Sequence, residues 1–168
     1  MISVVIPTLN DEAVLGRSLQ PLVWAAVSGL VREVIVADAG STDATLEIAD
    51  DAGCRILNGE GAREARVRAA SAGAAGDWVM ILEPWAQLLT GWEGPVRAHI
   101  ERRSGHAAFA PLLDPGAGAL ARRLIGLLGR PRVPPVLLAT REACAAGRVR
   151  GARRLNVYAL SLRAGDRV

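Results

Sequence analysis

Three runs of mostly branched aliphatic residues in the first half of this chain each end on polar side chains, and chemistry has to be sought at those ends. Ile2-Ser3-Val4-Val5-Ile6 leads into Pro7-Thr8-Leu9-Asn10-Asp11-Glu12. Val34-Ile35-Val36-Ala37 leads into Asp38 and then Ser41-Thr42-Asp43, and Trp78-Val79-Met80-Ile81-Leu82 leads into Glu83. An ionised carboxylate only accepts hydrogen bonds, so Asp38 at a strand tip suits a base N–H or a ribose hydroxyl. The same residue types also shape turns and helix caps, a structural use that suits Ser41 and Asp43 better than it suits Asp38. Conventional proton carriers are sparse. His99 and His106 belong to no triad and no ligand spacing, and read as surface or strand-edge residues. Cys54 and Cys144 are isolated, without a CxxC or a nearby His, and read as small buried side chains of a reducing compartment. No helix-turn-helix, zinc-finger or RNP-like signature is present, and no nucleic-acid partner is expected.

The elements that must position these residues follow from periodicity. Residues 2–6 read as a strand buried on both faces and ended by Pro7. Asn10 can cap a helix whose first turn holds Asp11 and Glu12, running to residue 28 with Gly29 as its stop. A strand over 33–38 precedes a helix that opens at Ser41-Thr42-Asp43 and ends at Ala52-Gly53. A strand over 54–57, a helix over 61–75 ended by Gly76, and a strand over 78–82 complete a β-α-β-α-β-α-β series. The remainder is less regular: a helix near 91–103, a strand near 107–113, a Gly/Ala-rich helix near 116–129, a breaker segment over 129–135, a strand near 136–139, and helices near 141–146 and 154–164. Such alternation predicts a single α/β domain with a mostly parallel central sheet flanked by helices and ligands outside the carboxyl ends of its strands. Asp38 and Glu83 should therefore open toward one cleft.

The pairing of Val4-Val5-Ile6-Pro7-Thr8-Leu9-Asn10-Asp11-Glu12 with Val34-Ile35-Val36-Ala37-Asp38-Ala39-Gly40-Ser41-Thr42-Asp43-Ala44-Thr45 closely resembles the opening of family 2 glycosyltransferases. There the strands read roughly VSVVIPTLNE and EVIVVDDGSTDGT. The likeness continues through Ala69 to Leu82, similar to that family's helix, Gly-Asp turn and fourth strand, and through Gly91-Trp92. It is clear over residues 1–103, a nucleotide-binding half, and weak over 104–168, a reduced acceptor half. The resemblance implies a GT-A-like, Rossmann-like domain. It further implies a nucleotide or nucleotide sugar as partner, with the nucleoside held by Thr8, Glu12 and Asp38. Arg63, Arg66 and Arg68 stand where the family presents Arg, Gln or Asn to the nucleotide; exposed helix arginines are the plain alternative.

Two departures bear on catalysis. The family's fourth strand ends in an acidic DxD-type motif that holds Mg²⁺ or Mn²⁺ against the nucleotide diphosphate. Here the stretch is Leu82-Glu83-Pro84-Trp85-Ala86-Gln87, which leaves Glu83 as the one candidate metal ligand and Trp85 at the second carboxylate position. Trp24, Trp78, Trp85 and Trp92 read as packing residues, Trp85 also being placed to stack on a base or sugar. The family's late acidic pair, its acceptor base, aligns with Leu155 and Asn156, neither of which can take a proton. The resemblance thus implies a glycosyltransferase-like protein that binds a nucleotide sugar and passes the sugar to a hydroxyl, with a metal bound weakly or not at all. The alternative is an inactive relative that serves as a binding or interaction module.

Composition sets the outer limits. The 168 residues suffice for one core built from Val, Leu, Ile and Ala, since hydrophobic residues make up 51% and aromatics only 4%. Residues 1–101 hold 7 Arg and 14 acids, whereas 102–168 hold 13 Arg and 3 acids. The basic second part suits an anionic membrane surface or an acidic protein, and equally a solvated Arg-rich face in a chain without Lys. No signal-peptide pattern follows Met1, and no apolar run reaches the roughly 18 to 20 residues of a membrane span. The expected location is cytoplasmic, in reach of the inner face of the membrane.

Overall fold

The computed structural model describes residues 1–102, 107–110, 112–113, 134–149, 152–155, 157 and 159–161. The chain opens with strand β1 (Ile2–Thr8), every residue of which is buried, as expected of a central strand whose residues are apolar except Ser3 and Thr8. Helix α1 (Glu12–Leu19) and helix α2 (Leu22–Val27) follow where a single helix was expected. The break falls at Gln20-Pro21. Proline has no N–H to continue the ladder, and its fixed φ, here −67°, suits the start of a new helix. Asn10 does not cap α1; it takes φ +57° outside the helix, and Asp11 occupies the cap position without a side-chain cap bond.

Strand β2 (Val31–Asp38), helix α3 (Thr45–Asp51), strand β3 (Arg55–Asn58), helix α4 (Arg63–Ala72) and strand β4 (Trp78–Leu82) then realise the expected alternation, with bounds shifted by a few residues. Strand β5 (Ala86–Leu88), helix α5 (Glu93–Glu101), strands β6 (Ala108–Ala110), β7 (Leu112–Leu113) and β8 (Val136–Thr140), helix α6 (Arg141–Ala145), and strands β9 (Arg153–Arg154) and β10 (Ala159–Ser161) complete the described elements. The principal sheet has the order β3-β2-β1-β4-β8-β6-β9. Its first four strands are mutually parallel, whereas β8 runs antiparallel to both β4 and β6. A small second sheet has the order β5-β10-β7.

Alternate residues of the central strands serve two apolar layers. Ile2, Val4, Ile6, Val36, Met80 and Leu82 pack toward Leu15, Leu22, Ala49 and Val96 on α1, α2, α3 and α5. Val5, Ile35, Val79 and Ile81 pack toward Val67 and Ala70 of α4 and Cys144 of α6. Helices thus cover both faces, as a parallel sheet demands. Burial pushes the thiols of Cys54 and Cys144 up to about 11 and about 12, which fits their reading as packing residues.

The second half departs from expectation in two places. The strand expected over 107–113 is divided between two sheets, β6 in one and β7 in the other. The helix expected over 154–164 is replaced by β9 and β10, with β10 antiparallel to β5. Leu155, Val157 and Ala159 are all buried, a period of two that belongs to extended chain. The expected helix near 116–129, the start of the breaker segment, His106 and Asn156 lie outside the described residues. Among the described residues no helix is long and apolar enough to cross a membrane.

A polar rivet closes the amino end of the sheet. Ser3 Oγ donates to Glu33 Oε1 at 2.7 Å and accepts from the Gly76 N–H at 2.9 Å. Glu33 also accepts from the Ala75 N–H and pairs with Arg55. Gly76 lies so close to β1 that a Cβ there would meet the Ser3 nitrogen at 2.7 Å. Gly76→Ala is therefore expected to lower stability by about 1 to 3 kcal/mol, as overpacking against backbone does. Gly16→Ala, in an exposed turn of α1 with nothing within 4 Å of the new methyl, is expected to raise it by about 0.5 to 1 kcal/mol. Urea unfolding of the two variants checks the pair; equal effects would contradict the close approach of Gly76 to β1.

Candidate functional site

The order β3-β2-β1-β4 carries the chain from β1 outward through β2 and β3 and then back across β1 to β4. Successive connections thus leave in opposite directions from β1 and β4, the switch point at which open α/β sheets form a ligand crevice outside the carboxyl ends of the strands. Asp38 ends β2, opposite Thr8 at the end of β1, and Glu83 directly follows β4. These residues lie at one end of the sheet, with Asp38 and Glu83 on either side of β1.

The loop after β1 and the loop after β2 are laced together. The Thr8 hydroxyl donates to Asp38 Oδ1 at 2.8 Å, and the Ala39 N–H donates to the Thr8 carbonyl. The Asn10 N–H donates to Ser41 Oγ, while Asn10 Oδ1 accepts from the Thr42 N–H. The Asp11 N–H donates to Thr45 Oγ1 and the Glu12 N–H to Asp43 Oδ2, and Glu12 Oε2 in turn accepts from the Ala44 N–H at 2.8 Å. Asn10, Ser41, Asp43 and Thr45 are as much part of this lacing as the expected Thr8, Glu12 and Asp38. Their signal in the sequence is the matching of two polar stretches about thirty residues apart, each carrying the donors and acceptors the other needs.

Asp38 is the node. It is fully buried, and its Oδ1 accepts from Thr8 and from the Ser41 hydroxyl while its Oδ2 accepts from the Gly40 and Ser41 N–H groups. A carboxylate has about four lone-pair sites, so its capacity is filled within the protein. Burial acts to raise its pKa, but the hydrogen bonds from Ser41, Thr8 and Gly40 outweigh burial and hold the carboxyl below the usual range. Asp11 behaves oppositely. Burial pushes its carboxyl up, the charges of Asp43 and Asp38 push the same way, and the Leu9 N–H only partly offsets them.

Across the crevice, Arg63 is the first residue of α4 and its Nη2 pairs with Glu83 Oε1. Glu83 is 7% exposed. Burial raises its pKa, with the Arg63 charge acting against that rise. Arg66 is turned to the other side of the same helix start, with Nη1 donating to the Gly61 carbonyl at 2.6 Å and Nε donating to the Ala37 carbonyl at 3.4 Å. Arg68 stands apart from these two, its stem lying over Gly147 after α6. Trp85 is half-buried and packs against the core. Leu155, at the position aligned with an acid of the acceptor base, is buried in the core. His99 packs edge-on against Trp78 with ring centroids 5.5 Å apart. Among the described residues no three His, Cys, Asp or Glu side chains gather as a cation shell.

The sign of the Asp38 shift gives a test. A depressed folded pKa contributes stability that is complete above the unfolded value and is lost as pH falls through the folded value. Asp38→Asn removes that contribution and turns an amide donor toward donors. It is expected to cost about 2 to 4 kcal/mol at pH 7, from losing charge-assisted bonds and stranding their donors, and to show a smaller further loss on acidification than the parent. Urea unfolding at pH 7 and pH 3 measures both; parallel pH dependences would contradict the assignment of Asp38 as the node.

Comparison with known proteins agrees with this geometry. The family model described as glycosyl transferase family 2 matches residues 3–128. The chain is 43% identical over 64 residues to glucosyl-3-phosphoglycerate synthase of Mycolicibacterium smegmatis, covering 36% of this chain and 20% of that protein. It is 37% identical over 83 residues to a TPR repeat-containing protein of Synechococcus elongatus, covering 48% of this chain and again 20% of the relative. The chain thus spans about a fifth of the length of these curated relatives. Among solved structures, glucosyl-3-phosphoglycerate synthase from Mycobacterium tuberculosis in complex with Mn²⁺, uridine diphosphate and phosphoglyceric acid superposes with a TM-score of 0.59. The identity is 26%, over 84% of this chain and 56% of that one. A further mycobacterial protein superposes with a TM-score of 0.67 at 23% identity, over 97% of this chain and 67% of that one, a likeness of fold. With the sheet order, the crevice and the two laced loops, these matches show that the chain belongs to glycosyl transferase family 2.

Proposed function

We propose that this chain binds a nucleoside diphosphate sugar in the crevice at the carboxyl ends of β1 and β4, and that it transfers the sugar to a hydroxyl acceptor. The observation that carries this reading is the hydrogen-bonded polar floor made by the loops after β1 and β2 at the switch point of the sheet. The 26%-identical mycobacterial synthase in complex with uridine diphosphate supports uridine as the base. Because both Asp38 oxygens are occupied, Asp38 acts here by shaping the loop, and the nucleoside meets the main chain and exposed side chains that Thr8, Asp38 and Glu12 hold in place. Arg63, the first residue of α4, stands where a diphosphate gains from both guanidinium charge and the positive end of a helix, and Arg66, held to the Gly61 and Ala37 carbonyls, adds its charge from the other side of the same helix start.

A second reading, nucleotide binding without transfer, is favoured by one observation. Leu155 fills the core where the resemblance places an acid of the acceptor base. A cytoplasmic setting belongs to the same proposal, with the Arg-rich second part against an anionic membrane or an acidic protein. Support for it comes from the 13 Arg and 3 acids of residues 102–168 and from the exposed Val23, Trp24 and Val27 of α2.

Calorimetric titration with UDP, GDP and UDP-glucose tests the binding reading. Saturable heat with UDP and UDP-glucose, and less or none with GDP, is the expected result. Flat traces for all three would remove the support for a nucleotide site. Release of UDP from UDP-glucose on adding hydroxyl acceptors separates transfer from binding alone.

A further inference from the structure

The cation that the family implies finds a poor set of donors here. Glu83 is the one acid in the stretch after β4, its Oε1 is engaged by Arg63, and the next candidate position carries the apolar Trp85, packed against the core. No three candidate ligands gather among the described residues. A divalent ion at Glu83 would have to displace a guanidinium or sit beside it, and like charges in a partly desolvated site repel strongly. The residues present therefore do not fit the metal.

They do fit its electrostatic task. Arg63 is held in place by a carboxylate that is itself nearly buried, while its own side chain keeps 30% exposure. Its guanidinium carries five N–H donors, more than Glu83 can accept, and the fork geometry matches phosphate oxygens. It also opens a ten-residue helix, whose first N–H groups add positive potential at the same point. Building on the nucleotide reading above, we infer that Arg63, positioned by Glu83, takes the place of the divalent cation, so that this chain binds the diphosphate of its nucleotide without a metal. Glu83 is then a positioning residue. Arg63 is the contact to phosphate, and a negative charge leaving on the diphosphate is met by a fixed guanidinium.

Calorimetric titration of UDP in EDTA and in Mn²⁺ tests this, with Mn²⁺ binding to the nucleotide-free protein followed by electron paramagnetic resonance. UDP affinity is expected to agree within about threefold in the two buffers, with no saturable uptake of Mn²⁺ by the protein alone. Arg63→Ala is expected to weaken UDP about 10- to 100-fold in EDTA, the effect of losing a charge-assisted contact, while Arg63→Lys retains part of the affinity. If the single variant fails to fold because Glu83 is left buried and unpaired, the double variant Arg63→Met, Glu83→Gln removes both charges together and carries the same expectation. UDP binding that requires Mn²⁺, or that ignores the loss of Arg63, overturns the inference and leaves the nucleotide reading standing. Absence of UDP binding in both buffers overturns that reading, and the inference with it.

Discussion

The buried carboxylate of Asp38 is the constraint on which the rest of the site depends. An ionised group without solvent is tolerable only when its lone pairs are filled, and here the filling comes from two directions. The Gly40 and Ser41 N–H groups and the Ser41 hydroxyl come from its own turn, and the Thr8 hydroxyl comes from the neighbouring strand. The same bonds that stabilise the charge fix how the chain leaves β1 and β2. Asn10, at φ +57°, and Glu12 then extend the grip along the second loop as far as α3. A loop that would otherwise lose its conformation to entropy is thereby held in one shape, which is what a recognition surface needs.

Opposite this floor, the crevice is organised by charge rather than by shape alone. The charges of Asp43 and Asp38 push the Asp11 carboxyl up and the charge of Asp11 pushes Glu83 up, so the carboxyl end of the sheet is an acidic region apart from Arg63 and Arg66. A diphosphate entering such a region needs a positive partner held ready. The ion pair of Arg63 with Glu83 satisfies a buried acid and also prevents the guanidinium from wandering, so less order remains to be imposed on binding. The two apolar layers make this possible at a distance. Val5, Ile35, Val79 and Ile81 pack against Val67 and Ala70 of α4, which seats that helix on the same strands whose ends carry Thr8, Asp38 and Glu83.

The parallel half of the fold is legible in the sequence because each strand is built on a short, mainly branched-aliphatic run, with Ser3 inside β1 and charged residues confined to the outer ends of β2 and β3, and each run ends in polar or breaker residues. The break at Pro21 is also written there, since proline inside a helical pattern is a physical stop, although the flanking apolar residues suggest one long helix. The tail misleads. Leu155, Val157 and Ala159 alternate inward, but the stretch is short, and its likeness to a helical family pattern obscures a period of two. Chemistry is legible only by residue type. Asp38 is visible as a carboxylate at a strand tip, but its saturation depends on Thr8, thirty residues away, and the pairing of Arg63 with Glu83 spans twenty residues and a strand crossover. Those facts reside in the topology.

The central claim, a nucleoside diphosphate seated between the carboxyl ends of β1 and β4, is tested most directly by amide chemical-shift mapping of the isotope-labelled chain titrated with UDP. Saturable shifts are expected for residues 8–12 and 39–44 and at the start of α4 around Arg63, with α2 and α5 largely unmoved. Shifts that cluster on α2 or α5 and leave residues 8–12, 39–44 and 63 unchanged would place the ligand elsewhere and contradict the account.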